Sequence, residues 1–154
     1  MLLAFHKPYG VLSQFTKEKP EHRTLAEFGF PKKVYPIGRL DWDSEGLLLL
    51  SDEKEWNEKL LNPKYEHERT YHAQLEGIAT KQAIDKLQKG VLIQGRKTKP
   101  CAARLLKEPG YPPRSVPIRF RLSVPTSWIE LKLIEGKNRQ VRRMTAVAGV
   151  QHYA

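Results

Sequence analysis

One cysteine, Cys101, in 154 residues leaves no partner for an internal disulfide. The thiol reads as a small, reduced, apolar side chain in a cytoplasmic protein, so a hydrophobic core must hold the fold. No apolar run approaches the roughly 20 residues a membrane span needs. The N-terminal Met1-Leu2-Leu3-Ala4-Phe5 is too short for a signal peptide, and Pro8 closes it. Five histidines show no ligand spacing with the cysteine, which argues against zinc. Internal repeats and low-complexity tracts are absent. Acid is also scarce in one half: residues 78–154 hold 16 Lys and Arg against 4 Asp and Glu, while residues 1–77 hold 11 against 13. The net charge of +10 therefore lives in the second half, which points to a polyanion surface, most simply nucleic acid.

A chain of this length suits one domain with a real core, and its 40% hydrophobic and 29% charged residues are ordinary for a globular protein. Residues 2–5 read as a strand ended by the turn Lys7-Pro8-Tyr9-Gly10. Residues 16–33 read as a surface loop with a helical turn. Strands are expected over 34–37 and, from the apolar tetrad Leu47–Leu50, as a buried strand over 47–50. Asp52 resembles an N-cap, with Glu55 three residues on, and Asn62-Pro63 stops that helix. Tyr71, Ala73 and Leu75 alternate with Thr70, His72 and Gln74, as in a half-buried strand. Thr80 opens a second helix that Gly90 ends. Strands over 91–94, 101–106, 118–124 and 128–134 follow, with a proline-rich loop over 108–117, and Gly136 to Asn138 turns into a last helix that Gly149 ends. The mixture lacks strict alternation, so the expected class is α+β with a largely antiparallel sheet.

Chemistry concentrates between Pro36 and Leu50. Arg39, Asp41, Asp43 and Glu45 lie beside a turn where the chain enters a core, a costly place for unpaired charge. Asp41, Asp43, Glu45, Gly46 and Asp52 match much of a calcium-loop spacing, but Pro36 and Gly38 break the helix that should precede it and Leu47–Leu50 fill the loop with strand residues. A lone carboxylate held ionised by an arginine, acting as nucleophile or base, fits better than a metal, and turn capping is the plainer alternative for Asp41. In the last helix, at 100° per residue, Val141, Met144 and Ala148 share one side while Arg139, Arg142 and Arg143 share the other. Such a helix can dock on a sheet and present guanidinium groups to phosphate or carboxylate.

Four segments resemble one family in order. Gly38-Arg39-Leu40-Asp41 with Asp43-Ser44-Glu45-Gly46-Leu47 is similar to the central motif of the RsuA-type pseudouridine synthases, which act on ribosomal RNA. Lys7-Pro8-Tyr9-Gly10-Val11 resembles that family's first motif, Arg69-Thr70-Tyr71 its tyrosine-bearing strand, and Gly136-Lys137-Asn138-Arg139-Gln140-Val141-Arg142-Arg143-Met144 its third motif. The resemblance implies a pseudouridine synthase fold with its cleft across the sheet, and a single catalytic domain over 1–154, without the S4-type domain common among relatives and short at its C-terminus. It implies isomerisation of a uridine in RNA, most similar to members acting on the large subunit, without cofactor or metal. Asp41 would be the nucleophile or base, Arg142 its ionic partner and Tyr71 a stacking ring. Arg39 would fill the gap left by a flipped base, and Lys7, Lys137, Asn138, Arg139, Gln140 and Arg143 would contact RNA. A monomer is expected. The rival expectation is a non-catalytic RNA-binding protein of the same fold, inactive through its short C-terminus.

Overall fold

The first strand, β1 (Leu2–Lys7), sends Leu3 and Phe5 to one face, and its alternation sets the face of everything paired with it. The computed structural model describes residues 1–107, 109–111, 125–137 and 139–149, and the backbone of 151–152. These fall into two compact units, residues 1–65 and the described residues from Glu66 onward. The strand expected over 118–124, most of the proline-rich loop and Asn138 lie outside the described residues.

In the first unit β2 (Val11–Leu12) and β3 (Arg23–Thr24) form a short parallel pair. A single 3-10 turn, Leu25–Phe28, follows, its Ala26 N–H capped by the Thr24 hydroxyl. The loop expected over 16–33 thus carries one turn, as its polarity suggests. Strands β4 (Tyr35–Ile37) and β5 (Gly46–Ser51) complete an antiparallel sheet in the order β1-β5-β4. Leu3 faces Leu50 and Phe5 faces Leu48 across β1 and β5. Those side chains join Val11, Leu25, Val34, Phe15, Phe28, Phe30 and Leu40 in one core. Phe5 lies 4.9 Å from Phe28 and 5.0 Å from Phe30 between ring centroids, close enough for edge-on packing to add to simple burial.

Two expectations fail here for local reasons. The tetrad Leu47–Leu50 is not buried throughout: Leu48 and Leu50 are buried, but Leu47 is 66% exposed. An antiparallel sheet covered on one face buries alternate residues even when its sequence is uniformly apolar. Asp52 is not an N-cap either. Helix α1 (Glu55–Leu61) begins after Lys54 with no side-chain cap, and Asp52 with Glu53 instead accepts from the Met1 ammonium at 2.8 Å. A full positive charge within reach outcompetes two backbone donors for the carboxylate.

The second unit is built on β6 (Arg69–Glu76), followed by helix α2 (Lys81–Lys89). The Thr80 hydroxyl accepts from the Ala83 N–H, and the Gly90 N–H reaches the Leu87 carbonyl, as the capping residues predict. A tight hairpin, β7 (Leu92–Ile93) and β8 (Arg96–Lys97), turns through Gln94 and Gly95, both at positive φ. Strands β9 (Ala102–Leu106) and β10 (Thr126–Leu133), helix α3 (Gln140–Val147) and β11 (Gln151–His152) complete an antiparallel sheet ordered β11-β6-β10-β9. Ala73, Leu75, Ile129 and Leu131 point to one face, where Ala83 and Leu87 of α2 and Met144 of α3 cover them. Complete burial of a leucine such as Leu75 contributes about 1.5–3 kcal/mol.

On the other face, His72, Glu130 and Arg104 line up across β6, β10 and β9. Arg104 donates to both Glu130 oxygens at 3.0 and 3.2 Å, His72 Nε2 lies 2.9 Å from Glu130, and Tyr111 bonds His72 Nδ1. Arg104 first and His72 second hold the Glu130 carboxyl down at about 2. Among the described residues, no helix is long and apolar enough to cross a membrane. The α+β class with antiparallel main sheets stands as expected.

Candidate active-site residues and nucleic-acid interface

Asp41 lies at the start of a tight turn in the first unit, and three neighbours hold that turn. The Asp41 carbonyl accepts from the Ser44 N–H at 3.0 Å. One residue earlier, the Ser13 hydroxyl donates to the Leu40 carbonyl at 3.0 Å and its oxygen accepts the Leu40 N–H at 3.1 Å. One residue later, the Trp42 carbonyl accepts from the Gly10 N–H at 2.7 Å. Gly10 takes φ +83°, so the first motif's glycine lets the backbone bend towards Trp42. Tyr9 backs the same turn, its ring 5.7 Å from that of Trp42. The backbone around Asp41 is thus tied on both sides to the segment 9–13.

Lys7 stands beneath this turn. It continues the inward face of Leu3 and Phe5, but at the sheet's end it faces Gly46, which has no side chain. Its ammonium turns to the loop carbonyls, donating to Pro8 and Val11 at 2.8 Å and to Trp42 at 3.5 Å. Burial pushes its pKa down to about 8, against the pull of Asp43, Glu45 and Asp41. Lys7 has no exposed surface, and its ammonium serves the carbonyls of its own loop, where the sequence suggested an outward cation. Its charge works inward, on a loop that gathers three acids.

Those acids divide by position. Asp43 is buried, Asp41 half-buried and Glu45 exposed. Asp52 is engaged by the Met1 ammonium, and among the described residues no group of three or more His, Cys, Asp or Glu is placed to hold a metal ion. Arg39 is exposed, next to Gly38 at φ +74°. That conformation suits glycine, and a Cβ there would come within 3.1 Å of the Leu61 side chain.

The remaining candidates belong to the second unit. Tyr71 is half-buried on the inward face of β6, against the cluster that contains Met144, so its strand and the arginine helix share one core. Within α3, Gln140, Met144 and Thr145 are buried while Arg142 and Arg143 are half-buried on the outer side. Arg139 precedes the helix at φ +52°, a left-handed turn that costs an arginine about 1–2 kcal/mol. Lys137 is exposed. Gln140 is held within the unit. Its amide donates to Glu135 at 3.0 Å, its oxygen accepts the Lys137 N–H at 3.1 Å, and it is buried. It therefore pins the start of α3.

Sequence reasoning missed Ser13 and Glu135. Nothing in the sequence distinguishes Ser13 from any loop serine. Glu135 carried a signal, being one of four acids in a basic half and sitting just before Gly136. It is buried, and one of its oxygens accepts from Gln140, from Arg96 at 3.3 Å and from the Lys99 N–H at 3.4 Å.

Known proteins are related to this chain in sequence and in fold. Ribosomal large subunit pseudouridine synthase E of Xanthomonas axonopodis pv. citri (strain 306) is 47% identical over 152 residues, covering 97% of this chain and 80% of that protein. Ribosomal large subunit pseudouridine synthase B of Bacillus subtilis (strain 168) is 39% identical over 146 residues, 94% of this chain and 54% of that protein. A solved structure titled as the crystal structure of pseudouridylate synthase superposes with a TM-score of 0.77 at 25% identity, over 98% of this chain and 58% of that one. The sequence model of the RNA pseudouridylate synthase family matches residues 1–147, across both units. The chain belongs to the RNA pseudouridylate synthase family, in the RsuA-type group that its four motifs resemble.

Proposed function

We propose that this protein converts a uridine of large-subunit ribosomal RNA to pseudouridine, with Asp41 as the essential carboxylate. The observation that carries the assignment is the turn around Asp41, whose backbone is tied at Leu40, Asp41 and Trp42 by hydrogen bonds to Ser13, Ser44 and Gly10. A capping aspartate does not need its own backbone fixed from both sides, whereas a reacting group gains rate from fixed aim. Family membership supplies the reaction, and the names of the relatives supply the substrate class.

The chemistry is an isomerisation. The bond from C1′ to N1 of the uracil breaks, a bond from C1′ to C5 forms, the C5 proton leaves and N1 gains one. Atoms and electrons balance without an oxidant or a cofactor. Asp41 acts as nucleophile or base, and Arg142 and Tyr71 are the further residues of the proposed catalytic set. The uridine must first leave its stack, at a cost of a few kcal/mol. Arg39, exposed two residues before Asp41, is available to occupy the vacated space. Arg139 and Arg143 give the second unit part of its positive surface, and phosphate contacts of that kind set affinity and its salt dependence.

The test is tritium release from rRNA carrying uridine tritiated at C5, because the C5 proton is lost only on isomerisation. Wild type is expected to release tritium and Asp41→Asn to release none while still binding RNA. Equal release by Asp41→Asn would remove Asp41 from the chemistry. Binding without release by wild type would favour the non-catalytic alternative.

A further inference from the structure

The second unit contains a cavity of about 300 Å³ lined by Ile93, Gln94, Arg96, Lys137, Gln140 and Arg143. Three of those six side chains are cationic, and they arrive from two separate places in the chain. Arg96 comes from the hairpin of β7 and β8, while Lys137 and Arg143 flank and enter α3. We propose that this cavity is a subsite for one phosphodiester of the RNA substrate, with Arg96 as its hairpin-borne ligand. The inference rests on the reading of the substrate as RNA and deepens it.

The cavity is built. Gln94 and Gly95 take φ +49° and +78°, the doubly positive turn that matches the twist of a two-residue hairpin. Arg96 therefore follows a rigid corner, paired across the hairpin with Ile93. Buried Glu135 anchors it further, accepting from Arg96 Nη1 at 3.3 Å and from Gln140 at 3.0 Å with the same oxygen. The hairpin and the start of α3 are thus held to one carboxylate, which fixes their separation.

Glu135 does not exhaust the positive charge. Arg96 keeps further guanidinium donors and remains 43% exposed. Among the described residues, neither the Lys137 ammonium nor the Arg143 guanidinium has an ion-pair partner. Three cations line the cavity, and the 6%-exposed Glu135 pairs with one of them, Arg96. A phosphodiester carries one negative charge and two acceptor oxygens, which suit an arginine fork and a lysine point charge. Its uncharged flanking sugars can leave through the open side.

The measurement is the affinity of wild type, Arg96→Gln, Lys137→Gln and the control Lys17→Gln for a fluorescent large-subunit rRNA fragment, by anisotropy between 50 and 200 mM KCl. Lys17 is exposed in the first unit and far along the chain from the cavity residues. Losing one phosphate contact lowers the slope of log affinity against log salt by about 0.7 on single strands, or about 2.6-fold less loss across that fourfold salt range. Arg96→Gln and Lys137→Gln are each expected to show that drop, to raise KM in the tritium assay and to leave kcat near wild type, while Lys17→Gln changes nothing. Lys137→Gln guards against misfolding, because it leaves the Glu135 contacts in place.

Unchanged slopes in both cavity variants, with RNA binding intact in wild type, would overturn the subsite and leave the enzyme assignment standing. Equal drops in all three variants would also overturn it, since the effect would then be general charge. A melting shift with inorganic phosphate at matched ionic strength, without any change in the RNA slopes, would assign the cavity to a free anion and overturn it too. Absence of RNA binding by wild type would bring down both readings.

Discussion

Replacing Ser13 by alanine removes a single oxygen atom and with it both bonds that bracket Leu40, the residue before Asp41. Ser13 is 5% exposed, so water has little access to replace it. Each lost bond leaves a partly buried backbone group short of a partner, which costs about 1–3 kcal/mol for a buried group and less where water can enter. Two such groups at the low end give about 2 kcal/mol of destabilisation, readable as a shift of the urea midpoint with unchanged m-value. The consequence for catalysis is separate. If Leu40 relaxes, Asp41 loses its upstream anchor, and a displacement near 1 Å costs on the order of 100-fold in rate. Ser13→Ala is therefore expected to lower kcat in the tritium-release assay by about 10- to 100-fold with little change in KM. A stability loss with full kcat would refute the idea that this bracket aims Asp41. No loss of either would show that the two bonds are matched by water in the variant.

Two further predictions test the fold and its electrostatics. Leu48→Ala should cost about 2–5 kcal/mol because Leu48 is 3% exposed in the first core. Leu47→Ala should stay within about 0.5 kcal/mol, and equal losses in urea melts would contradict one-sided burial of β5. Glu130 is held at about 2 by Arg104 and His72, below its ordinary 4.5. A carboxylate with a depressed folded pKa stabilises above the unfolded value and loses that contribution as pH falls. Wild type should lose stability between pH 4.5 and 2 more steeply than Glu130→Gln; parallel acid titrations of melting temperature would refute the ladder's role.

Much of the fold was legible because its signals are local. The Thr80 cap, the Gly90 stop and the alternation of Tyr71, Ala73 and Leu75 each need only neighbours in sequence, and all appear. Errors arose where a partner distant in sequence intervened. Asp52 had a capping pattern, but the Met1 ammonium, 51 residues away, took its carboxylate. Leu47 looked buried because pattern alone does not say whether one or both faces of a sheet are covered. Lys7 looked like a surface cation because its motif is shared with an RNA enzyme; only the register opposite Gly46 shows that it must point inward.

Motif order by itself pointed to the family, and the mixture of elements without strict alternation pointed to the α+β class, since residue type and spacing are themselves the signal. Charge distribution likewise placed the surplus of positive charge in the second half, because net charge needs no coordinates. The tertiary structure decided which charges face outward. Burial makes Lys7 and Gln140 internal ties, and the hairpin of β7 and β8 brings Arg96 beside Lys137 and Arg143, some 40 residues later in the chain. The reason is physical: a charged side chain declares its chemistry in the sequence, but desolvation and pairing decide what it is free to touch, and both depend on segments remote along the chain.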